Sequence, residues 1–177
     1  MYGVLALSYL KLLIFFRSSV RDLNFSVQIS VDAPDRLNDE WEQQNFTKEN
    51  LNYSLESLSI IDKYINRMVG TDFCSRNLIT LSSRISFYVG EVIRKQTGSY
   101  FNWYEYDNVF IVSNEEERDA HDNYYDIVKL QEVLYNRKTK VLLLPLYFVF
   151  QLLIKDSASY HSVYEYGEKM IQKYAEK

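Results

Sequence analysis

One cysteine, two histidines, five glycines and two prolines in 177 residues remove several chemistries at once. A lone Cys cannot close an intrachain disulfide or supply a Cys-rich zinc module, and it fits a reducing compartment. Two His are too few for a typical His-based metal centre. The glycines stand apart, at 3, 70, 90, 98 and 167, so no Gly-rich phosphate loop exists. No Ser sits in a G-x-S-x-G elbow. Basic residues are not in excess either: 20 Lys and Arg face 24 Asp and Glu, and the net charge of −4 is the opposite of a nucleic-acid footprint. The composition therefore predicts no metal, no cofactor and no nucleic-acid partner.

Long uninterrupted apolar runs are missing as well. Tyr2 to Phe16 comes nearest, but Lys11 interrupts it and no basic residue precedes it, unlike a secretory signal. It is also shorter than the roughly 20 apolar residues that span a bilayer. Residues 1–24 are read as a separate apolar segment and 25–177 as a single α+β domain. The expected compartment is the cytoplasm, with envelope association through residues 2–16 as the alternative. A second apolar run, Val141 to Ile154, holds Pro145 and Gln151. It reads as a buried strand entering a core helix, with Pro145 in the first turn, where its missing N–H costs nothing. Three Asn-x-Ser/Thr triplets, at Asn24, Asn45 and Asn52, are chance matches in a chain rich in these residues.

What the chain has in plenty is aromatic: 16 Tyr and 10 Phe. Phe25 to Val31 alternates apolar and polar residues, as a half-buried strand does. Trp41 and Phe46 look like anchors pinning a polar loop or short helix. Leu51, Leu55, Leu58, Ile61, Ile65 and Met68 recur at helical spacing, with Thr47 or Asn50 as cap and Gly70 as left-handed terminator. A second stripe, Leu78, Leu81, Ile85, Val89 and Val92, follows closely, which predicts a helical hairpin. Tyr100 to Tyr106 and Val109 to Val112 read as strands turning at Asp107-Asn108. Tyr124 to Leu134 reads as another strand, turning at Asn136 to Thr139 into the Val141 run. Ser157 or Ser159 would cap a last helix bearing Val163, Gly167, Met170 and Tyr174. The sum is an α+β fold: a helical hairpin, a mostly antiparallel sheet of three to five strands, and one or two C-terminal helices.

Candidate chemistry is sparse. Cys74 is read as a small buried hydrophobe rather than a nucleophile. Asp119-Ala120-His121-Asp122 lacks the further ligands of a metal site and reads as a polar loop. Tyr88-Val89-Gly90-Glu91 is more pointed, because a mid-helix Gly costs up to about 1 kcal/mol against Ala and so implies a packing reason. Gly90 would let the strand around Trp103 approach, and Glu91 would accept its donors. Arg84, Tyr88 and Glu91 would form one polar ladder. The rival reading makes Glu91 a binding or catalytic carboxylate.

The residues Ser54-Leu55-Glu56-Ser57-Leu58, Ile61-Asp62-Lys63-Tyr64-Ile65, Tyr88-Val89-Gly90-Glu91-Val92-Ile93 and Trp103 resemble a loose class of bacterial domains of unknown function. In that class a helix ending in a YxGE motif leads to a Trp-bearing strand, and the domains are similar to immunity proteins encoded beside polymorphic toxins. The resemblance spans roughly residues 50 to 175 and implies a small α+β fold and a place beside such toxins, not a reaction; a partner-neutralising role is the hypothesis drawn from the charge pattern. It fits the acidic stretch from Glu105 to Asp126, where Glu105, Glu115, Glu116, Glu117 and Asp119 are interleaved with tyrosines that include Tyr104 and Tyr106. Acidic surface steers association with a basic toxin or enzyme, and Tyr supplies contact area at low entropic cost. The expected function is a non-enzymatic protein-binding module. The alternatives are an enzyme with a site near Glu91 or His121, and an envelope-associated structural protein.

Overall fold

The computed structural model describes residues 39–98, 100–106, 109, 132–156 and 160–175. Asp39 caps the first helix, α1 (Glu40–Asn45), by accepting the Glu42 N–H at 2.8 Å. This short helix is held by aromatic contact. Trp41 stacks on Tyr64 with ring centroids 6.1 Å apart, and Phe46 meets the same ring edge-on at 4.8 Å.

Helix α2 (Leu58–Met68) buries Leu58, Ile61, Tyr64, Ile65 and Met68. It starts later than the apolar stripe predicts, and Thr47 and Asn50 do not cap it. Instead, the Thr47 hydroxyl accepts the Asn50 N–H in a separate turn. Through 52–57 the polar side chains compete with helical bonding. Asn52 accepts from the Ser54 N–H, and the Ser57 hydroxyl donates to the Ser54 carbonyl. Gly70 ends the helix at φ +80°, as its position suggested.

A one-turn helix, α3 (Asp72–Arg76), is capped by Thr71 and breaks at Asn77. The long helix α4 (Leu78–Gln96) follows. Helices α2 and α4 face each other across a small cavity, while α2 lies closest to a C-terminal helix, α6 (Val163–Tyr174), and α4 to α5 (Pro145–Ile154). Pro145 stands in the first turn of α5 directly after a strand. Ser162 caps α6, and the Asp62 carboxylate accepts both the Val163 N–H (2.8 Å) and the Tyr164 N–H (3.2 Å). Ser157 and Ser159 lie outside the described residues, as do residues 1–38, the turn expected at Asp107-Asn108, and the strands expected at Phe25–Val31 and in the first part of Tyr124–Leu134. Of the strand expected at Val109–Val112 only Val109 is described, and it is helical, as is Tyr106 at the end of the strand expected at Tyr100–Tyr106.

The sheet is three-stranded and antiparallel in the order β1 (Phe101–Glu105), β2 (Glu132–Asn136), β3 (Val141–Leu143). Phe101 faces Asn136, Trp103 faces Leu134, and Leu134 in turn faces Leu143. Strand alternation sends Phe101, Trp103, Leu134 and Leu143 into the helical core. The opposite face builds a second cluster from Tyr104, Tyr106, Val109, Val133, Tyr135, Leu142 and Leu144. Both faces of the sheet are therefore filled. The architecture is α+β: six helices with one antiparallel sheet among the described residues. No helix among those residues is long and apolar enough to cross a membrane.

Candidate functional site

The YVGE motif lies in the second half of α4, and the antiparallel pairing of β1 with β2 carries Trp103 across it. A Cβ added to Gly90 would lie 2.5 Å from Trp103 Cζ2 and nearer still to Cη2. Leu134 Cδ1 would be 3.1 Å away. No residue but Gly leaves room for the indole here. Trp103 is 3% exposed, and Phe87 closes on it edge-on at 5.3 Å.

The indole's polar end is satisfied by the next residue of the helix. Trp103 Nε1–H donates to Glu91 Oε1 at 2.7 Å. Arg94, one turn further on, donates from Nε to the same oxygen at 2.7 Å and from Nη2 to Oε2 at 2.9 Å. Glu91 is 1% exposed, yet its carboxylate accepts three N–H donors, two from the fork of a guanidinium. A buried carboxylate without such partners would carry a large desolvation cost. The arrangement ties helix to sheet, with Glu91 as the acceptor that both elements share.

The expected ladder of Arg84, Tyr88 and Glu91 does not form. Tyr88 turns toward α2, where its hydroxyl donates to Ser57 Oγ at 2.7 Å and accepts the Tyr53 N–H at 3.2 Å. Its ring stacks on Tyr53 at 5.1 Å, and burial pushes its phenol pKa up. Arg84 lines a cavity of about 30 Å³ with Phe46, Leu51, Ile61, Tyr64, Ile85 and Tyr88. The cause is angular. Successive helical residues rotate by about 100°, and Tyr88 swings to the side facing α2, while Glu91 points at the sheet. Arg94 was the partner that sequence reasoning missed. Its signal was the i, i+3 spacing from Glu91 on one helix.

Tyr104 and Tyr106 need correction. Expected on a contact surface, they are 3% and 2% exposed and belong to the second cluster. The sheet has two apolar faces rather than one, so tyrosines that alternate away from Trp103 are buried too. Tyr104 meets Tyr135 edge-on at 5.9 Å. Glu105, between them in sequence, is exposed. Glu115, Glu116, Glu117, Asp119 and His121 lie outside the described residues.

Cys74 is 3% exposed, and burial pushes its thiol pKa up, which opposes thiolate formation. It borders a second cavity of about 240 Å³, lined also by Val69, Leu78, Leu153 and Lys155. Glu91 lines neither this cavity nor the smaller one. Buried Glu42 accepts the Tyr64 hydroxyl, and this contact together with burial raises the phenol pKa well above its usual range, burial being the larger cause. Among the described residues, no group of three or more His, Cys, Asp or Glu side chains converges as metal ligands would. No protein-family model, curated protein or solved structure matches the chain.

Proposed function

We propose that the protein is a non-enzymatic protein-binding module of the immunity type, acting in the cytoplasm and neutralising a basic partner through its acidic segment. The observation that carries this reading is the charge pattern of the sequence after β1. Tyr104 and Tyr106 are buried in the second cluster while Glu105 between them is exposed, and the run Glu115, Glu116, Glu117, Asp119, Asp122 and Asp126 follows further along the sequence. Carboxylates concentrated in one stretch of the sequence favour electrostatic steering toward a basic partner. The internal use of Glu91 supports the non-enzymatic side of the reading, because the carboxylate that stood out in sequence is engaged by Arg94 and Trp103. The proposed contact surface is carried by carboxylates, and buried Tyr104 and Tyr106 take no part in it.

Affinity capture from host extract, run with the full chain over graded salt, tests it. The native chain is expected to hold basic proteins that high salt releases, and E115K/E116K/E117K is expected to lose them. Capture of the same proteins by that variant, with unchanged salt sensitivity, would sink the acidic-segment reading.

A further inference from the structure

The ends of three helices meet short α3 around the larger cavity, the one that Cys74 borders. Helix α2 stops at Met68, and the chain leaves it through Val69 and Gly70. Helix α3 then crosses with Cys74 and Ser75, α4 opens at Leu78, and α5 closes at Ile154. Where helices end, no further turn continues the close packing, and about 240 Å³ is left between them.

The inner wall is apolar. Val69, Leu78 and Leu153 line it together with the Cys74 thiol, which is 3% exposed and which burial keeps protonated. The exposed lining residues, Ser75, Ile154 and Lys155, mark the open side. Among the described residues, Lys155 is the only charged side chain on the lining. Asp72 and Asp156 are close in sequence but do not line the cavity, and no described carboxylate pairs with Lys155. The backbone under this cation is tied down. The Lys155 N–H returns to the Leu152 carbonyl at 3.3 Å, and the Asp156 N–H to the Gln151 carbonyl at 3.0 Å.

We propose that the cavity binds a free medium-chain carboxylate, with an aliphatic body of about eight carbons along the apolar wall and the carboxylate at Lys155. Volume sets the body. An apolar cavity of about 150 Å³ holds benzene, so one of about 240 Å³ has room for roughly eight to ten carbons. Charge sets the head. An ammonium has donors and no acceptor, so it favours an anion over an alcohol and repels an alkylammonium. The wall also excludes polar bodies. Its one hydroxyl, Ser75 Oγ, already donates to the Thr71 carbonyl at 3.2 Å, so a sugar or nucleotide would leave most of its polar groups unpaired. The cavity shares no residue with the Glu91 cluster or the acidic run, and the assignment stands independently of the immunity reading.

Isothermal titration calorimetry of the full chain with octanoate is the test. Binding is expected to saturate at one octanoate per chain, with butanoate weaker by about tenfold or more, because it buries less apolar area. Octylammonium should bind several-fold more weakly than octanoate, and K155E should reverse that order. C74F fills the cavity from its inner wall and S75F from its exposed rim, and each should weaken octanoate by about tenfold or more. Ser75 is exposed, so S75F leaves the core untouched and decides the matter even where C74F does not fold. Absence of saturable octanoate binding, unchanged affinity in S75F, or an unchanged order of the two head groups in K155E overturns the proposal. Tighter binding of N-acetylleucine than of octanoate would assign the cavity to a peptide C-terminus and overturn it as well. E115K/E116K/E117K should bind octanoate as the native chain does, so the two readings can fail separately.

Discussion

Replacing Gly90 with Ala sets two effects of opposite sign against each other. In an exposed helix the change would stabilise the protein by about 1 kcal/mol, because Ala is the better helix former. Here the new methyl would lie 2.5 Å from Trp103 Cζ2, well inside contact distance. The ring cannot step aside easily. Its Nε1–H is held by Glu91 at 2.7 Å, and Phe87 blocks it edge-on. Overpacking of a tight core costs roughly 1–3 kcal/mol, and the stiffness of this neighbour argues for the upper part of that range. G90A should therefore destabilise by about 1–2 kcal/mol net, lowering the melting temperature by several degrees. Urea unfolding followed by tryptophan fluorescence measures it. The cause is checked in a second background. With Trp103→Leu the obstacle is gone, so the same G90A change should become stabilising. G167A supplies a contrast at equal distance. Its methyl would also sit 2.5 Å from a neighbour, but that neighbour is Leu58 Cδ1, the end of a flexible side chain. It should cost less than G90A and come out near neutral. If G90A is neutral or stabilising in the native background, the approach of Trp103 is not what keeps glycine in the motif.

E91Q retains the shape but removes the charge that Arg94 grips, and should destabilise by about 2–3 kcal/mol in denaturant unfolding; less than 1 kcal/mol would show the pair to be dispensable. Asp62→Ala removes the acceptor of two α6 N–H groups and should cost about 1–2 kcal/mol, with amide exchange at Val163 and Tyr164 rising before the rest of the helix; unchanged protection there would refute the latch. The Arg67 guanidinium beside Asp39 and the Glu42 N–H hold that carboxyl below its ordinary value. The unfolded chain therefore binds the proton more readily, so this contribution is present above the ordinary pKa and disappears as pH falls through the lower folded value. In a W103F background, Trp41 fluorescence should report this loss in acid, and D39N should flatten the response; equal acid responses would remove Asp39 as the cause. Cys74 should resist thiol reagents in the folded chain and react fully in denaturant, whereas rapid native labelling would contradict its burial.

Much of the backbone plan was open to inspection because it rests on residues with few conformational options. Pro145 can begin α5 but cannot continue β3, and Gly70 takes the positive φ that ends α2. The turn after Asn136 follows from a polar, charged stretch between two apolar runs. Gly90 with Trp103 could be read because a mid-helix glycine demands a close neighbour. Other features were hidden in long-range choices. The strand at Phe101 pairs with Glu132–Asn136, which local turn chemistry at Asp107-Asn108 does not specify. Before α2, the local polar bonds through 52–57 are joined by a distant one: the hydroxyl of Tyr88, 35 residues beyond Tyr53, receives the Tyr53 N–H. Apolar periodicity scores Leu51 and Leu55 as helical and does not register that competing bond.

Tyr104 and Tyr106 show why a residue count is a weak guide to a binding surface. Tyrosine suits an interface and a core for one reason, a large ring with a polar tip, so abundance alone does not separate the two. The deciding fact is how many faces of the sheet are covered. With one face open, residues alternating away from Trp103 would meet solvent, and the aromatic strand would be a contact surface. With both filled, the same alternation buries Phe101 and Trp103 on one side and Tyr104 and Tyr106 on the other. Charge does not share this ambiguity, because an unpaired carboxylate or ammonium is rarely buried. The exposed residues at the two ends of the sheet, Glu105 at one and Arg137 to Lys140 at the other, are therefore a firmer place than the tyrosines to test for recognition. Reversing Lys138 or Lys140 leaves both aromatic clusters intact, whereas reversing Arg137 removes a cation lying over Tyr104, so the lysine variants are the ones whose effects on association can be separated from effects on folding.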